Sequence, residues 1–466
     1  MRFRTAVLFL LMLAFLATGC ERISISLQPT PRKTSTPTKR NTPTATPHLT
    51  PTPADLVGVD KSAFKGGTID IWYAWGSPQR DVFEAQVADF NIHNPWNITV
   101  HTEPFPDWAA LFDAVNQSIA NGDPPELVVA LPEYALAWDA QGSVVDLTNY
   151  VSHPEWGLTP AEIADIPKVF LKQDQAGTKR LGLPAERSTR LLFYNTSWAN
   201  ELGFTSAPDN EREFRDQACA ANKSFRRDRI LSNDGYGGWI VDSDPQTALS
   251  WMLSFGGGAV NGNAYDLNTE ENSAALTYLK NLFDDSCAWI YTGLGPYAPL
   301  AGRTALFMSG DLSELADQAN AFSVAKNSDG WSVIPFPGPE GQSLLTYGPS
   351  FTVMRSTPEK QLAAWLFSRW MLKPEIQTQW VKATGMLPLR KSSMASLAGF
   401  ADSHPQWAQA VKLLDVAENQ PQQASWRTVK YALGDGMYSM FRLNLPVSQI
   451  PAVLEEMQST AEELSK

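Results

Sequence analysis

Apolar and polar positions fall along residues 66–134 in a β-α-β-α-β order. Gly66-Gly67 reads as a turn, and Thr68-Ile69-Asp70-Ile71-Trp72-Tyr73 as a β-branched, apolar strand. Phe83, Val87 and Phe90 sit at i, i+4 and i+7 on one helical face, and Asn94-Pro95 breaks that helix. Ile98-Thr99-Val100 is a second strand. Trp108, Leu111, Phe112, Val115 and Ile119 form a second helical stripe that stops near Asn121-Gly122. Leu127-Val128-Val129-Ala130 is a short strand, apolar throughout. This order predicts a mainly parallel sheet with helices on both faces. Ligands of such sheets bind beyond the carboxyl ends of the strands, which points to loops at 74–77 and 131–134.

A second alternation starts near Leu181. Leu191-Leu192-Phe193-Tyr194-Asn195 is a strand, and a helix from Trp198 to Leu202 ends at Gly203. The apolar stretch from Ser250 to Phe255 is stopped by Gly256-Gly257-Gly258. Ala275, Leu276, Leu279, Leu282 and Phe283 share a helical face. Gly302 to Met308 reads as a turn and strand, and Trp331 to Pro337 as extended chain. Thr357-Pro358-Glu359 starts a helix, with Thr as cap and Pro at the first position. The chain from about Pro405 is amphipathic and helical.

The first 20 residues are different. Arg2 and Arg4 precede an apolar run from Ala6 to Leu16, and Ala17-Thr18-Gly19 leads to Cys20. A charged start, a short apolar stretch and small residues make an export signal. Leu16-Ala17-Thr18-Gly19-Cys20 resembles the bacterial lipobox, in which the cysteine is lipidated and becomes the mature N-terminus. Ala17 stands where that signal usually has Leu, and an ordinary signal peptide is the alternative. Residues 21–65 repeat Thr and Pro, with Leu49 as the one large apolar residue between Gln28 and Pro53. Such a chain does not bury enough apolar surface to order itself and is expected to be an extended tether. Its Arg32, Lys33, Lys39 and Arg40 would suit anionic headgroups or simply aid solubility.

The net charge of −12 argues against a general nucleic-acid binder. The 400 or so remaining residues are enough for two cores. Sixteen tryptophans supply flat rings with a polar edge, suited to core packing and to stacking on ligands. With Cys20 lipidated, Cys219 and Cys287 form a disulfide or remain two buried thiols. The chain holds five histidines and no His-Glu-x-x-His, Gly-x-Ser-x-Gly or phosphate-loop motif, so nothing in it calls for a metal or a cofactor.

Several segments together resemble the extracellular solute-binding proteins of carbohydrate ABC transporters, the group related to maltose-binding protein. They are residues 67–75, Gly182-Leu183-Pro184, residues 191–195, residues 198–204, Phe255-Gly256-Gly257, residues 302–307 and Thr384-Gly385-Met386-Leu387-Pro388-Leu389-Arg390. The resemblance implies a two-lobed α/β fold of periplasmic-binding-protein type (type II), with a hinge and an interlobe ligand cleft. It implies a first crossing near Ala185 to Arg190 and others near residues 300 and 345. The first lobe would be about 66–185 plus 302–345, the second about 186–301 plus 346–466.

The function so implied is capture of an extracellular carbohydrate by hinge closure, by a monomeric, lipid-anchored protein that is not an enzyme and delivers its ligand to a membrane permease. Candidate ligand contacts are Trp75, Ser77, Gln79, Glu133 and Tyr134 in the first lobe. Arg187 and Arg190 lie at the crossing, with interlobe salt bridges as their other reading. Trp239, Asp242 and Asp244 come from the second lobe, Tyr347, Gly348 and Ser350 from the later crossing, and Arg390 from beyond it. A surface-anchored glycoside hydrolase would use the same aromatics with a carboxylate pair in the cleft. A ligand-sensing lipoprotein is a third reading.

Overall fold

The first strand, Gly67–Tyr73 (β1), buries Ile69, Ile71 and Tyr73 on one face, as their period of two demands. The structure, a computed structural model, describes residues 57–59, 64–442 and 444–466. The export signal, Cys20 and nearly all of the tether lie outside the described residues. β1 pairs in parallel with Ile98–Pro104 (β2) and with Leu127–Ala130 (β3). Gln79–His93 (α1) and Trp108–Asn121 (α2) make the connections. Asp107 caps α2 by accepting the Ala110 N–H, and Gly122 at φ 77° closes it. β3 is apolar throughout because both its faces are covered. Leu127 and Val129 join the core beneath α1, whereas Val128 and Ala130 meet α2 and Pro132–Ala140 (α3). Residues 132–134 therefore open a helix directly at the strand end rather than forming the expected loop.

The first sheet runs β2-β1-β3, then Ser350–Val353, then Leu183–Pro184. Ser350–Val353 runs antiparallel to both of its neighbours, so a single strand of the five departs from the expected, mainly parallel pattern. Helices Pro358–Met371 and Pro374–Thr384 cover it beside α1. Thr357 caps the first of them as expected, accepting the Lys360 N–H.

The second sheet is built on Ser188–Tyr194, which is buried along its whole length. Phe307–Asp311, Ser332–Ile334 and Gly341–Tyr347 pair with it antiparallel. Glu211–Arg226, Pro245–Ser254, Glu270–Asp284, Trp426–Arg442 and Ile450–Leu464 pack a second core around Trp239, Trp251 and Phe307. Cys219 and Cys287 are joined in a disulfide with Cα atoms 4.4 Å apart, which ties Glu211–Arg226 to the strand Ala288–Trp289.

The path between lobes differs from the expected one. Residues 302–345 belong with the second lobe, because strands Phe307–Asp311 and Gly341–Tyr347 hydrogen-bond to Ser188–Tyr194. Residues 350–384 belong with the first, because Ser350–Val353 pairs with β3 and the helices after it cover the same sheet. The chain crosses at 185–187 and at 348–349. It returns to the second sheet at Ala417–Asn419, which lies parallel to Gly341–Tyr347. No crossing occurs near residue 300. Long-range strand pairing decides these boundaries, and local pattern does not carry it.

Candidate ligand-binding cleft

A cleft of about 430 Å³ opens between the lobes, beyond the carboxyl ends of β1 and β3. Its first-lobe wall includes Trp75, Gln79 and Trp108. The second-lobe wall includes Gln246, Asp311 and Lys430, and Glu186, Ser188 and Gly348 lie where the chain crosses.

The crossing is held by one side chain. Arg187 is fully buried. Its Nη1 donates to the carbonyls of Glu186 (2.8 Å), Gly348 (3.2 Å) and Pro349 (2.7 Å). Its Nη2 donates to Asp174 Oδ2 at 2.9 Å and to Ser350 Oγ at 3.0 Å. Ser350 in turn donates to Asp174. Burial pushes the Arg187 guanidinium below its ordinary range, and Asp174 opposes that push. Gly348 sits at φ 147°, and a Cβ there would lie 2.4 Å from the Glu186 carbonyl oxygen. Two crossing strands approach this closely because position 348 has no side chain.

Three residues on, Arg190 faces the second lobe. It pairs with Asp242 and, at 2.9 Å, with Asp311, while its Nε donates to Thr247 Oγ1 at 2.8 Å. Burial works against its charge, but Asp242 and Asp311 outweigh that and hold it firmly protonated. Tyr347 donates its hydroxyl to Asp311, and burial followed by that carboxylate lifts the phenol far above its ordinary range. Asp244 caps Pro245–Ser254 by accepting the Gln246 N–H at 2.7 Å. Burial lifts its carboxyl, with Arg190 opposing and Asp242 reinforcing the shift.

Glu186 lines the cleft and is buried, yet its Oε2 makes no hydrogen bond, and neither does Nε1 of Trp75 or of Trp380. The two indoles are 4.9 Å apart between ring centroids. Gln79, Trp380 and Trp75 approach the carboxyl closely enough to favour its charged form, without completing well-aligned bonds at those atoms. Burial is the stronger influence and raises the Glu186 carboxyl to about 7.

The walls also touch each other. Lys430, on Trp426–Arg442, pairs with Glu133 of α3 at 3.2 Å. On the same helix the Arg427 guanidinium lies 4.8 Å from the Phe112 ring of α2.

Of the residues singled out from sequence, Trp75, Ser77, Gln79, Glu133, Tyr347 and Gly348 line the cleft. The others do not. Tyr134 packs on Phe112 at 4.6 Å in the first core. Trp239 is buried in the second core, with its indole nitrogen 3.2 Å from Ser309 Oγ. Arg187, Arg190 and Asp242 are spent on ion pairs, but Arg190 finds both of its carboxylates within the second lobe and so does not form the interlobe salt bridge that was its other reading. Asp244 serves as a helix cap, and Ser350 belongs to the Arg187 cluster. Arg390 donates to Asp165 at 2.6 Å, away from the cleft lining. Sequence reasoning passed over Glu186, Asp311 and Lys430. Glu186 had one legible signal, its place inside the expected crossing. Asp311 and Lys430 had none, because tertiary packing alone brings them to the cleft.

The fold and cleft define a two-lobed binding protein. The family of bacterial extracellular solute-binding proteins matches residues 85–415, and the chain belongs to that family. A binding protein of Brucella abortus (strain 2308) is 22% identical, over 82% of this chain and 90% of its own length. The fold is similar to that of the sugar-binding protein MalE from Xanthomonas citri (TM-score 0.73, 18% identity, 85% of this chain and 97% of that one). It is similar to the cyclic α-maltosyl-1,6-maltose binding protein of Arthrobacter globiformis (TM-score 0.70, 17%, 86% and 99%). A third similar structure is UgpB of Mycobacterium tuberculosis with glycerophosphocholine (TM-score 0.67, 16%, 85% and 99%). Among the described residues no helix is long and apolar enough to cross a membrane, and no cluster of His, Cys, Asp and Glu is arranged to hold a metal ion.

Proposed function

We propose that this protein captures an extracellular carbohydrate in the interlobe cleft by hinge closure and delivers it to a membrane ABC permease. The observation that carries the reading is a cleft built from both lobes, in which aromatic rings stand beside planar polar side chains. Rings stack on the apolar faces of sugars, and carboxyl and amide groups bond hydroxyls. A ligand that gains contacts from both walls favours the closed form. Relatives of the same fold that bind sugars support a carbohydrate, and the UgpB complex widens the class to polyol derivatives. Cys20 would carry the lipid anchor and residues 21–65 the tether, placing the lobes outside the cytoplasm. The reading is non-catalytic: Glu133 is engaged by Lys430 and Asp311 by Arg190 and Tyr347, which leaves Glu186 without the second free carboxyl that glycoside hydrolysis needs.

A thermal-shift screen of sugars and polyols, with product analysis of each hit, tests this. A ligand at 100 times its dissociation constant should add about 2.7 kcal/mol of stability and be recovered unchanged. Hydrolysis of the hit would replace capture with catalysis, and no shift from any sugar would remove the carbohydrate.

A further inference from the structure

We propose that Glu186 is a specificity-determining residue of the cleft, whose free carboxyl oxygen accepts a hydrogen bond from a ligand hydroxyl and disfavours anionic ligands. The inference rests on the capture reading and adds to it the kind of ligand group taken at the crossing.

Three observations converge. Glu186 lines the cleft with an unpartnered, buried Oε2. The indole N–H groups of Trp75 and Trp380 act on that carboxyl and favour its charged form without completing a well-aligned bond. An unpartnered carboxyl oxygen matches a hydroxyl, which donates to it; a phosphate oxygen only accepts and would face the carboxylate. Nearby cations are already committed. Arg187 is the charged group acting on Glu186, but its guanidinium is turned onto backbone carbonyls and Asp174. Arg190 is held by Asp242 and Asp311, and Lys430 by Glu133. No cation of the described lining is left to balance an anionic ligand beside Glu186.

Capture is then linked to a proton. The groups that face Glu186 are Gln79 at the start of α1, Trp75 after β1, Trp380 of Pro374–Thr384 and Arg187 of the crossing. With burial dominant, the carboxyl holds its proton in the empty cleft at mildly acid pH. A hydroxyl that donates to it favours the ionised form, so binding releases a proton and strengthens as pH rises towards neutrality.

The test has two arms on the full chain. In the first, the indole N–H resonances of Trp75 and Trp380 are followed by NMR against pH without ligand. Both should move with a common midpoint near neutral, and the movement should vanish in Glu186→Gln. In the second, calorimetry with maltotriose and with glycerophosphocholine is run from pH 5.5 to 8. Maltotriose should lose up to about tenfold in affinity per pH unit below the midpoint, with proton release on binding. It should bind Glu186→Gln at least tenfold more weakly at pH 8, with a flat profile, and glycerophosphocholine should bind more weakly than maltotriose. A variant still melting as high as wild type at pH 8 separates lost recognition from lost folding. Maltotriose binding that is independent of pH and unchanged in Glu186→Gln overturns the proposal and leaves capture standing. If no sugar binds, the capture reading falls, and indole resonances without a neutral midpoint overturn the role of Glu186 as well.

Discussion

Arg187 and Arg190 lie three residues apart and are used in opposite ways. Arg187 belongs to the crossing, is inaccessible, and spends most of its donors on backbone carbonyls, with Asp174 as its one carboxylate. Arg190 belongs to the second-lobe wall and meets two carboxylates, whose side chains are 25% and 28% exposed. The first arrangement fixes where three pieces of backbone meet. The second sets the charge of a wall that water reaches. A buried ion pair contributes little net attraction when desolvation is counted, but breaking it strands a charge where water does not follow. The pivot is therefore the less forgiving of the two sites.

The sharpest way to break this contrast is Arg187→Met, which takes from buried Asp174 its ion-pair partner and leaves it only the field of Arg180. We expect a loss of about 3–5 kcal/mol, read from the denaturant midpoint. Arg190→Met should cost clearly less, because water reaches both of its carboxylates, and an equal loss would erase the distinction. Next comes pH. The unfolded Glu186 carboxyl titrates near its ordinary 4.5 and the folded one near 7. Between these values the folded chain holds a proton that the unfolded chain has lost. Glu186 thus lowers stability as pH rises through that window, by up to about 3 kcal/mol. Glu186→Gln should melt higher than wild type at pH 8 and level with it at pH 4; equal melting at both would place the carboxyl in its ordinary range. Gly348→Ala puts a Cβ 2.4 Å from the Glu186 carbonyl and keeps a strained φ, for a cost of about 1–3 kcal/mol in thermal melting. The smallest effect belongs to Lys430→Ala. Glu133 regains water when the walls part, so stability should change by about 1 kcal/mol or less. Small-angle scattering should nevertheless show a wider particle, and an unchanged radius would mean that this pair does not hold the walls together.

Local chemistry made much of the fold legible. The β1 to β3 alternation, the Thr357-Pro358 helix start and the Gly122 stop follow from side-chain period and capping, which act over a few residues. Lobe membership did not follow, because Ser350–Val353 finds β3 more than two hundred residues away by hydrogen bonding that no local window encodes. The candidate site divided in the same way. Trp75, Ser77 and Gln79 were reachable through the rule that ligands sit beyond strand ends. Trp239 and Tyr134 carried the same aromatic signal but fill cores, since a ring suits a core as well as a cleft. The roles of Arg187 and Arg190 depend on partners in other parts of the chain, and Glu186 offered only its place in the expected crossing until its free oxygen is seen.

The interleaved strand order also has a consequence for how the chain is made. Ser350–Val353 is an inner strand of the first sheet, and Ala417–Asn419 completes the second. Neither lobe can close its sheet while the polypeptide is still emerging, so long-range contacts form last and folding is delayed. A chain ending before Ser350 should lack cooperative melting in near-ultraviolet circular dichroism, and a sharp transition there would contradict this. Delay of this kind keeps a nascent chain threadable through a narrow translocation pore until synthesis is nearly complete.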